Sequence, residues 1–246
     1  MQNTHSYWRT DRPADVFYDT PLASLPDRAV RTYLPDEYTS RYAYPLLVLF
    51  HGRGSNDQQV LKLAPKISRR NFVGISLRGP ELVGQRADGT GAFGWGGADD
   101  AEAVTEYVLR AVEQTRRTFH IHSERVYLVG VNEGAQAAYR TAFALGTACA
   151  GVASLNGSVP RPDGVRPVMR PDAVRGQRVF IGHGIANVLA PFSGAERDFR
   201  LMYAAGADVR FARYATTNKL HPDMLRDLNR WVIGHVNATT DALVLR

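Results

Sequence analysis

The chain has 246 residues, 44% hydrophobic and 22% charged, a size and balance suited to one soluble α/β domain with a substantial core. Its net charge is +6, yet 27 arginines and three lysines are dispersed, the densest pairs being Arg69-Arg70 and Arg116-Arg117, so no nucleic-acid surface is expected. No stretch of eighteen apolar residues occurs, no signal peptide is evident, and the single Cys149 allows no internal disulfide. A cytoplasmic protein without a membrane span is the expectation, and Cys149, among small apolar residues, reads as a buried thiol.

In chain order, RAVRTYL (28–34) and PLLVLF (45–50) read as strands, the second too uniformly apolar to have a wet face. The polar turn HGRGSN leads into a helix expected over 57–69, and FVGISL (72–77) is another short buried strand. Residues 81–97, ELVGQRADGTGAFGWGG, lack periodicity and read as a long glycine-rich loop. DDAEAVTEYVLRAVEQTRR follows as a helix, acidic at its start and basic at its end, as the helix dipole favours. RVYLVGVNEGAQAAYR (125–140) reads as a buried strand, a glycine-flanked turn and a small-residue helix. Strands at 150–155, 178–182 and 208–214 then alternate with helices at 194–205 and 222–235.

This alternation predicts a mainly parallel central sheet with helices on both faces, a single domain over 28–236, an N-terminal extension (1–27) and a short C-terminal tail (237–246). The tail is partly apolar and fits packing on the body or on a neighbour, so a homo-oligomer is one possible state. In sheets of this kind functional groups collect at the carboxyl ends of the strands.

Five segments at those ends carry a resemblance. LFHGRGSN resembles the L-H-G-x-G oxyanion loop, and GVNEGA the G-x-S-x-G nucleophile elbow, of the phospholipase/carboxylesterase branch of the α/β hydrolases, which includes acyl-protein thioesterases. SLNGSVP resembles the branch's Leu-Ser-Gly-x-x-Pro segment, GHGIANVLAP its H-G-x-x-D-x-x-x-P, and TTNKLHPDMLRDLNRW its histidine loop and last helix. The resemblance covers roughly residues 28–235 and implies the α/β-hydrolase fold.

Members of the branch cleave esters or thioesters with a serine nucleophile, a histidine base and an aspartate that orients the histidine. Carried over by motif, the nucleophile falls on Asn132, the acid on Asn187 and the base on Asn218. An amide offers neither a hydroxyl to activate nor a proton acceptor near neutral pH. Asparagine nonetheless tolerates the positive φ of an elbow, copies the shape of aspartate and imitates one ring nitrogen of histidine. The resemblance therefore implies a scaffold for small ester, thioester or acyl ligands whose normal turnover is absent or strongly impaired. By the same resemblance the backbone N–H groups of Arg53 and Glu133 form the oxyanion hole. His51 and Gly52 in that loop, and Trp95 with Phe93 in the glycine-rich loop, are candidates to border the ligand. The other reading is that His51 and His183, each before a glycine at a strand end, brace loops by hydrogen bonds and that the two aromatics anchor their loop.

Two alternatives stay open. His221, three residues beyond Asn218, could supply a non-standard base for an active hydrolase, although its position suits capping the last helix. Glu133 could hold a water, but the branch's residue there points away from the nucleophile. A non-catalytic interaction module is the other alternative, with the Pro- and Arg-rich segment 161–177 as its candidate surface. His120-x-His122 lacks a convincing third ligand, so neither a metal nor another cofactor is expected.

Overall fold

Strand β3 (Tyr44–Phe50) is buried along its whole length, as its unbroken apolar run requires. In the computed structural model, which describes residues 8, 17–22, 25–97, 100–161, 164, 166–167 and 169–244, it lies inside an eight-stranded sheet. The strand order is β1 (Phe17–Leu22), β2 (Leu25–Tyr33), β4 (Val73–Leu77), β3, β7 (Ile121–Val131), β8 (Gly151–Leu155), β9 (Arg178–Gly184) and β10 (Asp208–Tyr214). From β4 to β10 neighbouring strands pair in parallel, whereas β2 is antiparallel to both β1 and β4.

Alternate residues of β3 supply two cores. Leu46, Val48 and Phe50 pack on one face under α3 (Ala101–Thr118), α4 (Gly134–Leu145) and α6 (Phe192–Ala204). Leu47 and Leu49 pack on the other under α1 (Asp57–Leu61), α2 (Ala64–Ile67) and α7 (Pro222–Val244). In α7 the stripe Met224, Leu225, Leu228, Trp231, Val232 and Val236 follows the helical period and is buried. Each such side chain contributes about 1.5–3 kcal/mol on leaving water. A four-residue helix, α5 (Pro171–Val174), precedes β9.

Four sequence expectations change. The helix over 57–69 is two short helices, because Pro65 opens α2 and cannot donate within a continuing α1. The sheet takes in β1, inside the segment expected as an extension, and α7 runs on to Val244 through most of the expected tail. Residues 81–97 contain a hairpin, β5 (Glu81–Gln85) and β6 (Gly91–Gly94), rather than a loop throughout. Its turn runs from Arg86 to Gly89, whose N–H donates to the Arg86 carbonyl (3.0 Å), with Gly89 at φ 80 and the Asp88 carboxylate accepting from the Thr90 N–H. Asp-Gly between extended segments is a hairpin signal that the surrounding glycines obscured. Of the segment 161–177, residues 162, 163, 165 and 168 lie outside the described residues.

The elbow between β7 and α4 depends on close backbone approach. A Cβ built on Gly134 would lie 2.4 Å from the carbonyl oxygens of both Phe50 and His51, and one on Gly130 would lie 2.3 Å from the Ala135 Cα. Gly134→Ala is expected to cost about 1–3 kcal/mol through overpacking, measured as a lower urea midpoint. An unchanged midpoint would show that the two backbones do not meet there.

Candidate active site

Each loop of interest leaves the carboxyl end of a strand: residues 51–56 after β3, the elbow after β7, 156–161 after β8, 185–191 after β9 and 215–221 after β10. Asn132 sits at φ 52, the left-handed conformation that a nucleophile elbow demands. Its N–H donates to the Leu155 carbonyl (2.9 Å) and its carbonyl receives the Ala135 N–H (3.1 Å), so the turn is held from β8 and from α4. A Cβ on Gly52 would meet the Asn132 Cβ at 3.3 Å, so Gly52 is what lets the two loops touch.

A cavity of about 330 Å³ opens above the elbow, lined by Asn132, Glu133, Gln136, Ser158, Leu189 and Asn218, with Arg53, Asn156, Gly157 and Ala190 completing it. Asn132 and Asn218, two of the three asparagines that the motifs place at triad positions, therefore line one cavity. Asn187, the third, is buried beside the lining residues Asn156, Leu189 and Ala190. Its Oδ1 accepts from the N–H groups of Leu189 (3.0 Å) and Ala190 (3.1 Å), and its Nδ2 donates to the Asn156 carbonyl (3.3 Å). Two backbone donors on one side and a carbonyl on the other fix which amide atom is which.

Among the described residues neither the Arg53 nor the Glu133 N–H donates a hydrogen bond, whereas those of Gly54, Ser55, Asn132 and Ala135 do. Gly54 N–H goes to the Phe93 carbonyl (2.9 Å) and Ser55 N–H to the Gly52 carbonyl (3.1 Å). The hairpin braces this loop: Phe93 N–H returns to Ser55 (2.8 Å), the Arg86 guanidinium donates to the Gly54 carbonyl (2.7 Å), and the Asn56 amide donates to Gly91 (3.1 Å). Below, Asp57 is buried and ion-paired with Arg31 and Arg78; these charges hold its carboxyl below the usual range against the upward push of burial.

His51 and Trp95 support the loop from behind instead of lining the cavity. The His51 Nδ1–H donates to the Gly52 carbonyl (2.8 Å), and its Nε2 accepts from the Gly79 N–H (2.9 Å), which fixes a neutral tautomer. Burial also lowers its pKa. The Trp95 indole donates to the His51 carbonyl (2.7 Å). His221 does not line the cavity either; its Nδ1 accepts from the Asp223 N–H (3.2 Å) at the start of α7.

Glu133 is the one carboxylate on the cavity. Burial pushes its pKa up, and the Arg53 guanidinium 3.4 Å away offsets this in part. One carboxylate oxygen, Oε2, is buried without a hydrogen bond. Arg53 also forms a two-pronged ion pair with Glu81 of β5, both contacts at 2.9 Å, so the hairpin, the loop after β3 and the turn after β7 share one charge network.

Asn156 is a site residue that the sequence motifs did not single out. It is buried at φ 60, and its hydrogen bonds span three loops. Its N–H donates to Gly182 (2.9 Å), its Oδ1 accepts from the Gly184 N–H (2.8 Å), its Nδ2 donates to the Lys219 carbonyl (3.1 Å), and its carbonyl receives Asn187. The signal was present: Leu-Asn-Gly stands where the resembled segment has Leu-Ser-Gly, and asparagine is the non-glycine residue most at ease in left-handed backbone.

No protein-family model matches the sequence, and no curated protein does. Solved structures match well. A carboxylesterase from Mesorhizobium loti aligns with a TM-score of 0.67 at 16% identity, over 88% of this chain and 99% of its own. The Bacillus cereus carboxylesterase aligns at 0.64 and 20% identity, over 85% and 93%. TT1662 from Thermus thermophilus aligns at 0.62 and 21%, over 89% and 97%.

The chain has the α/β-hydrolase fold. At these identities the likeness is one of architecture, so the chemistry of this α/β-hydrolase domain must be argued from its own residues. No helix among the described residues is long and apolar enough to cross a membrane.

The surroundings of Asn187 give a direct test. Asn187→Asp turns a donor facing the Asn156 carbonyl into a second acceptor, so two oxygens confront each other in a buried position. The nearest ring nitrogen, the His183 Nε2 3.5 Å away, is already directed to the Ala190 carbonyl. The expected loss is about 1–3 kcal/mol near neutral pH. The folded-state pKa of the new carboxyl is then raised, so the loss is present above its unfolded pKa and fades on acidification, when the proton can be donated to Asn156. Urea unfolding at neutral and acidic pH checks this; a pH-independent difference would contradict it.

Proposed function

We propose that this domain is a silenced esterase of the phospholipase/carboxylesterase branch: it holds ester, thioester or acyl ligands in the cavity above the elbow and does not turn them over by serine chemistry. The observation that carries the reading is Asn132 at φ 52 beside two uncommitted backbone N–H groups, those of Arg53 and Glu133. Backbone donors do not depend on the side chains that attack, so an oxyanion hole survives the loss of a triad. The five sequence motifs and the esterase-like architecture support the same assignment.

The roles follow from chemistry. Asn132 stands at the nucleophile position and cannot form an acyl-enzyme, because an amide nitrogen has no lone pair available for attack. Asn218 stands at the base position and holds no proton-accepting nitrogen. Asn187 stands at the acid position, keeps the 187–190 turn folded and brings no charge. His221, committed to α7 and off the cavity, is a poor replacement base.

A second, weaker reading rests on Glu133, a carboxylate among the lining residues whose pKa burial pushes up. A carboxylate there could draw a proton from a water attacking a bound ester. Any slow hydrolysis by the unaltered chain would then be lost in Glu133→Gln.

The main test is Asn132→Ser, Asn187→Asp and Asn218→His together, assayed with p-nitrophenyl acetate and a fluorophosphonate probe. In the triple variant the carboxylate introduced at position 187 gains a partner in the imidazole introduced at position 218, which the single substitution lacks. Turnover is expected to rise by about 10³-fold or more, with covalent labelling at residue 132. A folded but inert triple variant would sink the assignment, as would labelling of the unaltered chain.

A further inference from the structure

Asparagines of two kinds surround the cavity. Asn156 and Asn187 have their amides engaged with backbone groups and are buried. Asn132 and Asn218 line the cavity and make no side-chain hydrogen bond to any described residue, and the same holds for Gln136 and Ser158. With the Arg53 and Glu133 N–H groups, the cavity therefore presents three primary amides, a hydroxyl and two backbone donors with no protein partner. Half-buried donors of this density are met by water or by a ligand rich in acceptor oxygens.

Charge narrows the choice. An active site of this type carries a buried carboxylate at the acid position, which disfavours a second anion nearby. Here that position is the neutral Asn187. Glu133, the carboxylate among the residues that line the cavity, shares the Arg53 guanidinium with Glu81, and burial pushes its pKa up, which favours its uncharged form.

We infer that this cavity is a receptor site for a free carboxylate, the acid an esterase would release, bearing a short aliphatic body. This rests on the reading of the cavity as a silenced esterase site and names the ligand it holds. One carboxylate oxygen takes the Arg53 and Glu133 N–H groups, and the other takes the Asn132 amide. An ester offers the hole only one good acceptor, because its second oxygen carries an alkyl group and no charge; hydrogen bonds to an ionised acceptor are about twice as strong as neutral ones. An adjoining cavity of about 260 Å³ shares Gln136, Ser158, Leu189 and Ala190 with the first and continues along Pro191 and Ala195, which give the aliphatic body a path past two arginines of the same lining, Arg161 and Arg197. Leu189 and its neighbour Val188, 76% and 84% exposed, form an apolar lip at its mouth.

Isothermal titration of the full chain with sodium hexanoate, methyl hexanoate and hexan-1-ol near neutral pH tests the inference. Hexanoate is expected to bind about tenfold or more tightly than either neutral analogue. Asn132→Asp and Asn218→Asp, which place a negative charge on either wall, are each expected to weaken hexanoate about tenfold while changing methyl hexanoate little. Aspartate shares the tolerance of asparagine for left-handed backbone, so the elbow variant is expected to fold; the three-ligand comparison on the unaltered chain stands without it. Binding of the ester as tightly as the acid, no binding of hexanoate, or indifference of hexanoate to both charges would overturn the inference. Failure of the silenced-esterase reading shows separately, as release of acid from methyl hexanoate by the unaltered chain or as an inert triple variant. Ester preference without hydrolysis overturns the carboxylate alone.

Discussion

The left-handed backbone at Asn156 is the constraint on which the site depends. At φ 60 the chain turns off the end of β8 so that one buried side chain reaches both Gly184, at the end of β9, and Lys219, beside Asn218. Its carbonyl anchors Asn187 from the same point. Three loops, on segments as far as 63 positions apart between Asn156 and Lys219, are thus referred to one residue. Removing its amide would leave the Gly184 N–H and the Lys219 carbonyl without this partner, at about 1–3 kcal/mol for each group that stays buried. The cavity holds its shape because its rear wall is fastened at Asn156, whatever occupies positions 132 and 218.

A second fastening works from the other side. The β5–β6 hairpin forms backbone hydrogen bonds with residues 54 and 55, and Arg53 joins Glu81 of the hairpin to Glu133 of the elbow. These pairs are exposed to solvent and contribute little stability one by one. Their consequence is orientation: the loop that carries the Arg53 N–H is held against the turn that carries the Glu133 N–H. Preorganised donors do not need to reorganise when a negative oxygen arrives.

The asparagines divide along the same line. Those that hold loops, 156 and 187, are buried with their amides engaged; those at the nucleophile and base positions face open space. Loss of catalysis by unconstrained decay gives no reason for hydrogen-bonding side chains to persist at the facing positions. Their persistence as neutral amides fits a pocket that still has a polar ligand to satisfy.

The sequence alone determined the alternation of strands and helices, the parallel sheet and the elbow, because each is encoded locally. Apolar runs such as PLLVLF can only be buried, and Gly130 and Gly134 mark a close turn wherever they stand four residues apart around it. It also put Asn132 and Asn218 in loops that follow strands. Hidden from it were the edge strand β1, whose pairing with β2 is a tertiary event, and the break at Pro65, which a helical stripe masked. From sequence His51 and Trp95 could either border a ligand or brace their loops; the structure shows bracing, because which way a side chain faces depends on neighbours such as Gly79, 28 residues away. Only the tertiary structure decided that Asn187 bonds backbone while Asn132 and Asn218 do not, and that Asn156 holds three loops. Hydrogen-bond partners brought together from distant segments leave no periodicity in the chain that supplies them.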